Sequence, residues 1–167
     1  MSEKLVLIDG HSILNRAFFG IPDLTNSEGL HTNAVYGFLN ILFKILEEEQ
    51  PNYLTVAFDV SQPTFRHKMY AEYKGTRKPM AEELREQVPL MKEMLKAMGV
   101  TIVEKGGYEA DDILGTIAKP AKQKDLKYPL CQGTGIYCSL LLIILKSVFR
   151  KQSAPEPRLR IIIRRKF

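Results

Sequence analysis

Three carboxylates stand close together at Glu109, Asp111 and Asp112, where a turn gives way to a helical pattern. Glu109 and Asp112 are three residues apart and would share one face of a helix. Like charges this close repel, and they lose hydration if buried, so the group needs a compensating positive charge. A hard dication such as Mg²⁺ supplies that charge and prefers oxygen ligands. On this segment alone a second interpretation stays open, because the macrodipole favours acids at a helix N-terminus without any metal.

Two further aspartates follow apolar runs that predict buried strands. Asp9 follows Leu5–Ile8 and Asp59 follows Tyr53–Phe58, with an amphipathic helix predicted between them over Ala34–Glu49. This order implies a right-handed crossover and parallel pairing, which puts both strand ends at one edge of the sheet. Ligand crevices of open α/β sheets lie at that edge, so we expect a shared site. Aspartate also serves as a turn or cap residue, which is the structural alternative.

A basic and aromatic stretch occupies residues 63–79, after the second strand. Its basic side chains can neutralise phosphates and its rings can stack on unpaired bases, although a solvated loop with half-buried rings would look similar. Another amphipathic helix is predicted over Glu82–Met98 and a short strand over Val100–Val103. The alternation predicts an α/β fold with a doubly wound, mostly parallel sheet and flanking helices.

Composition sets the class of protein. With 167 residues, 45% of them hydrophobic and 26% charged, the chain suits one soluble domain. We expect a cytoplasmic protein, because no signal peptide or membrane-spanning run is evident and the two cysteines form no zinc pattern. Residues 127–167 hold nine of the 24 Lys and Arg and one of the 19 Asp and Glu residues. The net charge of +5 therefore arises in that tail, and nucleic-acid binding must be argued from local patches.

Five linked motifs, in order and with matching spacing, resemble the 5′→3′ exonuclease domain at the N-terminus of bacterial DNA polymerase I. That domain is related to the flap endonucleases and has a PIN-like, resolvase-like fold. The resemblance covers about residues 4–126. Its motifs are Leu7–Gly10, Ala34–Phe38, Ala57–Asp59, Phe65–Arg66 with Tyr73–Arg77, and Gly107–Asp112.

The resemblance implies Mg²⁺-dependent hydrolysis of DNA phosphodiesters by two ions, with Mn²⁺ as an alternative, in replication and repair. The implied partner is DNA at 5′ flaps, nicked duplexes and RNA-primed ends, bound by a monomer that has no membrane association. By likeness, the catalytic and metal-binding residues are Asp9, Asp59, Glu109, Asp111 and Asp112. The implied DNA contacts are Arg16, Phe65, Arg66, Tyr73, Lys74 and Arg77, in a region that leads into a mobile arch.

The family pattern stops after Leu126. The expected Gly-Asp-Arg-Asp motif is replaced by Gln132–Ser139, yet codons permitted for that segment restore the motif when regrouped one nucleotide earlier. We therefore hypothesise a one-nucleotide slip near residue 126, which would make 127–167 an out-of-frame tail and leave the sheet incomplete on its C-terminal side. A divergent tail is the alternative. We expect weak or absent nuclease activity; the other functions considered are a non-catalytic nucleic-acid-binding fragment and a PIN-type ribonuclease.

Overall fold

The computed structural model describes residues 4–70, 72–76 and 78–123, with side chains described up to residue 118. Arg77 and the tail at 127–167 lie outside the described residues. The described elements are β1 (Leu5–Asp9), α1 (Gly10–Gly20), α2 (Asn33–Glu49), β2 (Tyr53–Ala57), α3 (Phe65–Met69), α4 (Glu82–Ala97), β3 (Thr101–Val103) and α5 (Ala110–Gln123). The two long helices predicted from apolar periodicity are confirmed to within one residue at either end.

The strands form a parallel sheet in the order β1-β2-β3. Asp9 is paired in register with Ala57, and Ala57 with Val103, so the carboxyl ends of all three strands lie at one edge. The predicted α/β class, with a parallel sheet between helices, is confirmed. Among the described residues, no helix has the length and apolar character needed to cross a membrane.

Both faces of the sheet are buried, which is why the strands read as continuous apolar runs. Successive side chains of a strand point to opposite faces. Val6 and Ile8 of β1 enter the larger core with residues of α1, α2 and α4. Leu5 and Leu7 pack on the other face against α5. The acidic segment at the start of α5 therefore lies at the edge of the sheet, because α5 packs against Leu5 and Leu7 in the smaller core.

A buried polar side chain joins α4 to the start of α2. The Oε1 atom of Gln87 accepts hydrogen bonds from the backbone N–H groups of Ala34 and Val35, at 2.8 and 3.2 Å. Its Nε2 donates to Asn33 Oδ1 and to the Glu83 carbonyl, each at 3.0 Å. The residue before α2 makes no side-chain cap, so Gln87 satisfies N–H groups that would otherwise be orphaned at this helix start.

Close packing fixes the first turn of α1 against the end of β2. A Cβ atom added at Gly10 would lie 2.4 Å from Cε1 of the Phe58 ring. Only glycine therefore allows α1 and the Phe58 ring to approach this closely. Asp9, which precedes Gly10, and Asp59, which follows Phe58, consequently lie at the same edge of the sheet. A second glycine requirement is at Gly107, whose φ of +83° turns the chain into the acidic segment.

Candidate metal and nucleic-acid site

The carboxylates of Asp9, Asp59 and Asp111 meet at the carboxyl edge of the sheet. The pKa of Asp9 is raised from 3.8 to about 6, chiefly by burial and also by the charges of Asp111 and Asp59, against the lowering effect of a hydrogen bond from the Ser12 N–H. Burial also raises the pKa of Asp111, followed by the charges of Asp59 and of its acidic neighbours. The three side chains are thus close enough to repel one another, as the sequence predicted for a shared site.

Backbone donors hold the acids in place. Asp9 Oδ1 accepts from the Ser12 N–H at 3.0 Å and so caps α1. Asp59 Oδ1 accepts from the Ala110 N–H at 2.6 Å, at the first residue of α5. Helix N-termini carry partial positive charge, which offsets part of the repulsion. Asp9 and Asp59 are therefore each held by one backbone hydrogen bond before any ligand binds.

The remaining two acids are paired with basic side chains. Arg66 donates through Nη1 and Nη2 to the two carboxylate oxygens of Asp112, at 2.5 Å each. Its Nη1 also lies 3.5 Å from Glu109 Oε2. Lys74 Nζ lies 2.8 Å from Glu109 Oε1, and the Tyr73 hydroxyl donates to Glu109 Oε2 at 3.2 Å. We call Glu109 and Asp112 the paired acids.

Asp9, Asp59 and Asp111, which we call the unpaired acids, have no such partner among the residues that the structure describes. Within the part of the chain that the structure describes, neither Lys nor Arg forms an ion pair with any of them. Asp111 Oδ1 is buried and makes no hydrogen bond there. Glu109 Oε1 also lacks one, since its contact with Lys74 is a charge contact without hydrogen-bond geometry.

An oxygen-rich, negatively charged group of this kind suits a hard dication such as Mg²⁺ or Mn²⁺. The buried, unpartnered oxygen of Asp111 and the raised pKa values of Asp9 and Asp111 are what a bound dication would relieve. As placed, no three His, Cys, Asp or Glu side chains of the described residues converge tightly enough to hold one ion. The carboxylate oxygens therefore suit such an ion chemically, and the side chains that carry them must rotate before they can surround it.

The expected DNA contacts lie in different surroundings. Arg66, Tyr73 and Lys74 face the acids, as described above. Phe65 packs inward, 5.8 Å from the Tyr108 ring and under the Arg66 guanidinium at 4.6 Å, which makes it a support for that arginine. Arg16 is exposed on α1, two turns beyond the strand end.

Sequence reasoning assigned no role to His11, which the structure places in the site. Its Nδ1 accepts from the Asp59 backbone N–H at 3.2 Å, and its ring meets Phe58 edge-on with centroids 5.4 Å apart. Burial lowers the pKa of this imidazole, favouring the neutral form with its proton on Nε2. The one available signal was its position, two residues after the aspartate that ends β1.

An open cavity of about 380 Å³ adjoins the acids on the side of the loop that follows β2. Residues 59–64 form one wall, and His67, Lys74, Tyr108 and Glu109 form the other. The His67 ring is fixed by Thr64, whose backbone N–H donates to Nδ1 at 3.2 Å. The site thus combines unpaired carboxylates, two cations and an adjoining space at one sheet edge.

Comparison with known proteins identifies the family. The profile described as 5′-3′ exonuclease, N-terminal resolvase-like domain matches residues 4–133. The chain belongs to this family. Its membership confirms the resemblance drawn from the five motifs.

Curated relatives include DNA polymerase I of Bacillus caldotenax, 50% identical over 133 residues, which are 80% of this chain and 15% of the relative. A 5′-3′ exonuclease of Aquifex aeolicus is 44% identical over 125 residues, 75% of this chain and 43% of the relative. The chain therefore spans about a seventh of the polymerase and less than half of the exonuclease.

Two solved structures share the fold of this chain. A T5 5′-exonuclease with bound divalent zinc has a TM-score of 0.55 and is 22% identical, over 75% of this chain and 47% of that one. A complex of a phage T5 flap endonuclease with DNA and metal ions gives the same values. At this identity the likeness supports the α/β architecture of the exonuclease domain, in agreement with the parallel sheet described above.

Proposed function

We propose that this chain is the N-terminal part of a metal-dependent 5′-3′ exonuclease or flap endonuclease domain that hydrolyses DNA phosphodiesters. The observation that carries the proposal is the group of three unpaired acids beside two basic side chains at the carboxyl edge of the sheet. The names of the relatives support it, since they include DNA polymerase I and a 5′-3′ exonuclease. A T5 flap endonuclease structure that contains DNA and metal ions supports it as well.

Each acid has a role in the proposal. Asp9, Asp59 and Asp111 hold the metal directly or through water, and Glu109 and Asp112 complete the group. The ion that these residues would hold, Mg²⁺ as our choice and Mn²⁺ as the alternative, would supply Lewis-acid chemistry for activating a water molecule and stabilising the leaving oxygen. His11 accepts from the Asp59 backbone and so orients that carboxylate. These residues act by orientation and charge rather than by covalent chemistry.

The basic side chains position the substrate. Arg66 and Lys74 receive the scissile phosphate, and the fork of Arg66 matches a phosphate as well as it matches a carboxylate. The Tyr73 ring offers a surface for an unpaired base. The family resemblance adds Arg16 and Arg77 to the proposed DNA contacts. We propose DNA with 5′ flaps, nicks or RNA-primed ends as the partner of a cytoplasmic monomer.

We also propose that residues 127–167 are a non-family tail, translated out of frame, and that nuclease activity of this chain is weak. The match to the family profile ends at residue 133, seven residues after the proposed change near residue 126, so most of the tail lies outside the match, which supports the proposal. The nucleotide sequence tests the tail directly. Codons for residues 132–139 that cannot be regrouped into the acidic motif would remove the frame hypothesis.

The function is tested by single-turnover cleavage of a labelled 5′-flap DNA with excess protein and Mg²⁺ or Mn²⁺. Slow cleavage is expected, falling at least about 100-fold in Asp111→Asn, a loss typical of removing a strong electrostatic contributor. Glu86→Gln, on the exposed face of α4, is the matched control and should cleave like the wild type. Flap binding in EDTA without cleavage would instead indicate a binding fragment, and cleavage of RNA but not DNA a PIN-type ribonuclease.

A further inference from the structure

We propose that Arg66 and Lys74 exchange partners during substrate binding. In the free protein they neutralise Glu109 and Asp112; when nucleic acid binds, they pass to a phosphate and release both carboxylates to the metal. Metal binding and nucleic-acid binding would then strengthen each other by the same factor, because coupling between two ligands is reciprocal. This inference rests on the proposed function and specifies how its two ligands depend on each other.

The first support is the chemistry of the contacts. The side chains of Arg66, Glu109 and Asp112 are 14%, 12% and 23% exposed, so the ion pairs are largely desolvated. A buried cation cannot leave its carboxylate without a replacement anion, because an isolated buried charge is strongly unfavourable. A phosphate is such an anion, and the two parallel N–H donors of an arginine bind it in the same bidentate way. The exchange therefore replaces one anion by another of matching geometry.

The second support is the orientation of the paired acids. Glu109 directs one oxygen toward Lys74 and the other toward Tyr73 and Arg66, while both oxygens of Asp112 accept from Arg66. In this state no three potential ligands of the described residues converge to hold an ion. The oxygens of the paired acids are thus occupied by their basic partners, and Asp112 Oδ2 accepts a further hydrogen bond from the Glu109 backbone N–H at 3.2 Å. When Arg66 and Lys74 leave, the carboxylate oxygens of Glu109 and Asp112 become available to a metal ion.

The third support is the backbone at Lys74. Its φ of +60° lies in the left-handed region, which is disfavoured for residues that have a Cβ atom. Such a conformation persists only where the surroundings maintain it. The turn that contains Lys74 is closed by a backbone hydrogen bond from the Gly75 N–H to the Glu72 carbonyl at 3.0 Å, which maintains it here. The ammonium, which contacts Glu109 at 2.8 Å, can therefore change partners without opening the turn that carries it.

The test measures Mn²⁺ affinity by the electron paramagnetic resonance signal of free Mn²⁺. The wild-type chain is titrated alone, with a single-stranded DNA oligonucleotide, and with a peptide nucleic acid of the same sequence, which carries the bases without phosphates. We expect DNA to tighten Mn²⁺ binding about tenfold, within the usual range of coupling between sites. The peptide nucleic acid should leave the affinity unchanged. Equal Mn²⁺ affinity with and without DNA would overturn the proposal.

A pair of variants separates exchange from general charge effects. Lys74→Met removes a cation that holds Glu109, so Mn²⁺ binding to the free chain should tighten several-fold and its response to DNA should shrink. Lys68→Met removes an exposed cation of α3 and should behave like the wild type. A Lys74→Met chain that melts like the wild type but binds Mn²⁺ no more tightly contradicts the exchange. Because cleavage is not measured, such a failure leaves the nuclease proposal standing, whereas absence of any Mn²⁺ binding defeats both.

Discussion

Asp59 and Ala110 are joined by a hydrogen bond of 2.6 Å, from the backbone N–H of Ala110 to the carboxylate oxygen Oδ1 of Asp59. The bond connects the loop after β2 to the first residue of α5, 51 positions later. It fixes Asp111, the next residue of that helix, beside the aspartates of the two strand ends. The donor is a neutral backbone group, and no basic side chain between residues 4 and 118, in the part that the structure describes, forms an ion pair with the three carboxylates. The fold therefore builds an anionic site whose repulsion a dication would offset.

The first prediction concerns the stability effect of the Asp9 charge. An Asp9→Asn variant removes the charge but keeps the cap on α1, because asparagine caps helices as well as aspartate. The Asp9 pKa is about 6 in the folded chain, against an ordinary value of 3.8. As pH rises from 4 to 6, the unfolded chain loses this proton first, so the wild type loses stability across that window. The loss is complete above pH 6 and amounts to at most about 3 kcal/mol.

Urea denaturation without divalent metal checks whether the wild type loses stability as the pH rises. At pH 7.5 the Asp9→Asn chain should have a free energy of unfolding about 1–3 kcal/mol above the wild type, and at pH 4 the two should agree. Glu28→Gln, an exposed carboxylate in the loop before α2, should show no such pH dependence. A wild type that equals or exceeds the variant at pH 7.5 would mean that the Asp9 carboxylate is already compensated.

The second prediction tests the contact between α1 and β2. Gly10→Ala would place a methyl group 2.4–2.8 Å from three atoms of the Phe58 ring, so the ring or the helix must shift. Overpacking of this kind costs about 1–3 kcal/mol. Gly20→Ala, at the end of the same helix with no atom within 4 Å, is the control and should be neutral or stabilising by about 0.5 kcal/mol. Thermal unfolding of both variants gives the comparison, and equal effects would show that the contact is relaxed in solution.

The parallel sheet and the shared position of the strand-end acids could be predicted from the sequence. Continuous apolar runs ending in Asp9 and near Asp59 indicate buried parallel strands, and the right-handed crossover rule places their ends together. The helix over Asn33–Glu49 followed from apolar spacing alone. These features depend on local pattern and on chain topology, which a single sequence contains.

The pairing within the site could not be predicted in the same way. Arg66 and Asp112 are 46 residues apart, and nothing local distinguishes this arginine from its basic neighbours. The buried hydrogen bonds of Gln87 lack a local signal too, because a glutamine in an amphipathic helix is usually exposed. Both depend on which side chains the packed helices and loops bring together. The basic and aromatic stretch at residues 63–79 predicted a surface for phosphates and bases, whereas the structure shows Arg66 and Lys74 of that stretch paired with acids.

The third prediction tests that buried glutamine. Gln87→Met keeps the volume but leaves the buried N–H groups of Ala34 and Val35 without their acceptor. Each unsatisfied buried group costs about 1–3 kcal/mol, so the two groups together should lower the free energy of unfolding by about 2–6 kcal/mol. Glu86→Met, the exposed neighbour on α4, should change stability by no more than about 0.5 kcal/mol. Similar losses in both would indicate that water replaces the glutamine.

The last prediction concerns metal and Asp111, whose Oδ1 is buried without a hydrogen bond in the described structure. If a dication binds there, Mg²⁺ should stabilise the folded chain by mass action, by about 3 kcal/mol at 100 times its Kd. Asp111→Asn removes one charged ligand at nearly constant shape, so most of this stabilisation should disappear. Asp23→Asn, in the exposed loop before α2, should keep it. The measurement is the unfolding temperature against Mg²⁺ concentration. An equal Mg²⁺ response in both variants would place the bound ion away from the sheet edge, since a carboxylate that contacts or faces the ion cannot be neutralised without weakening its binding.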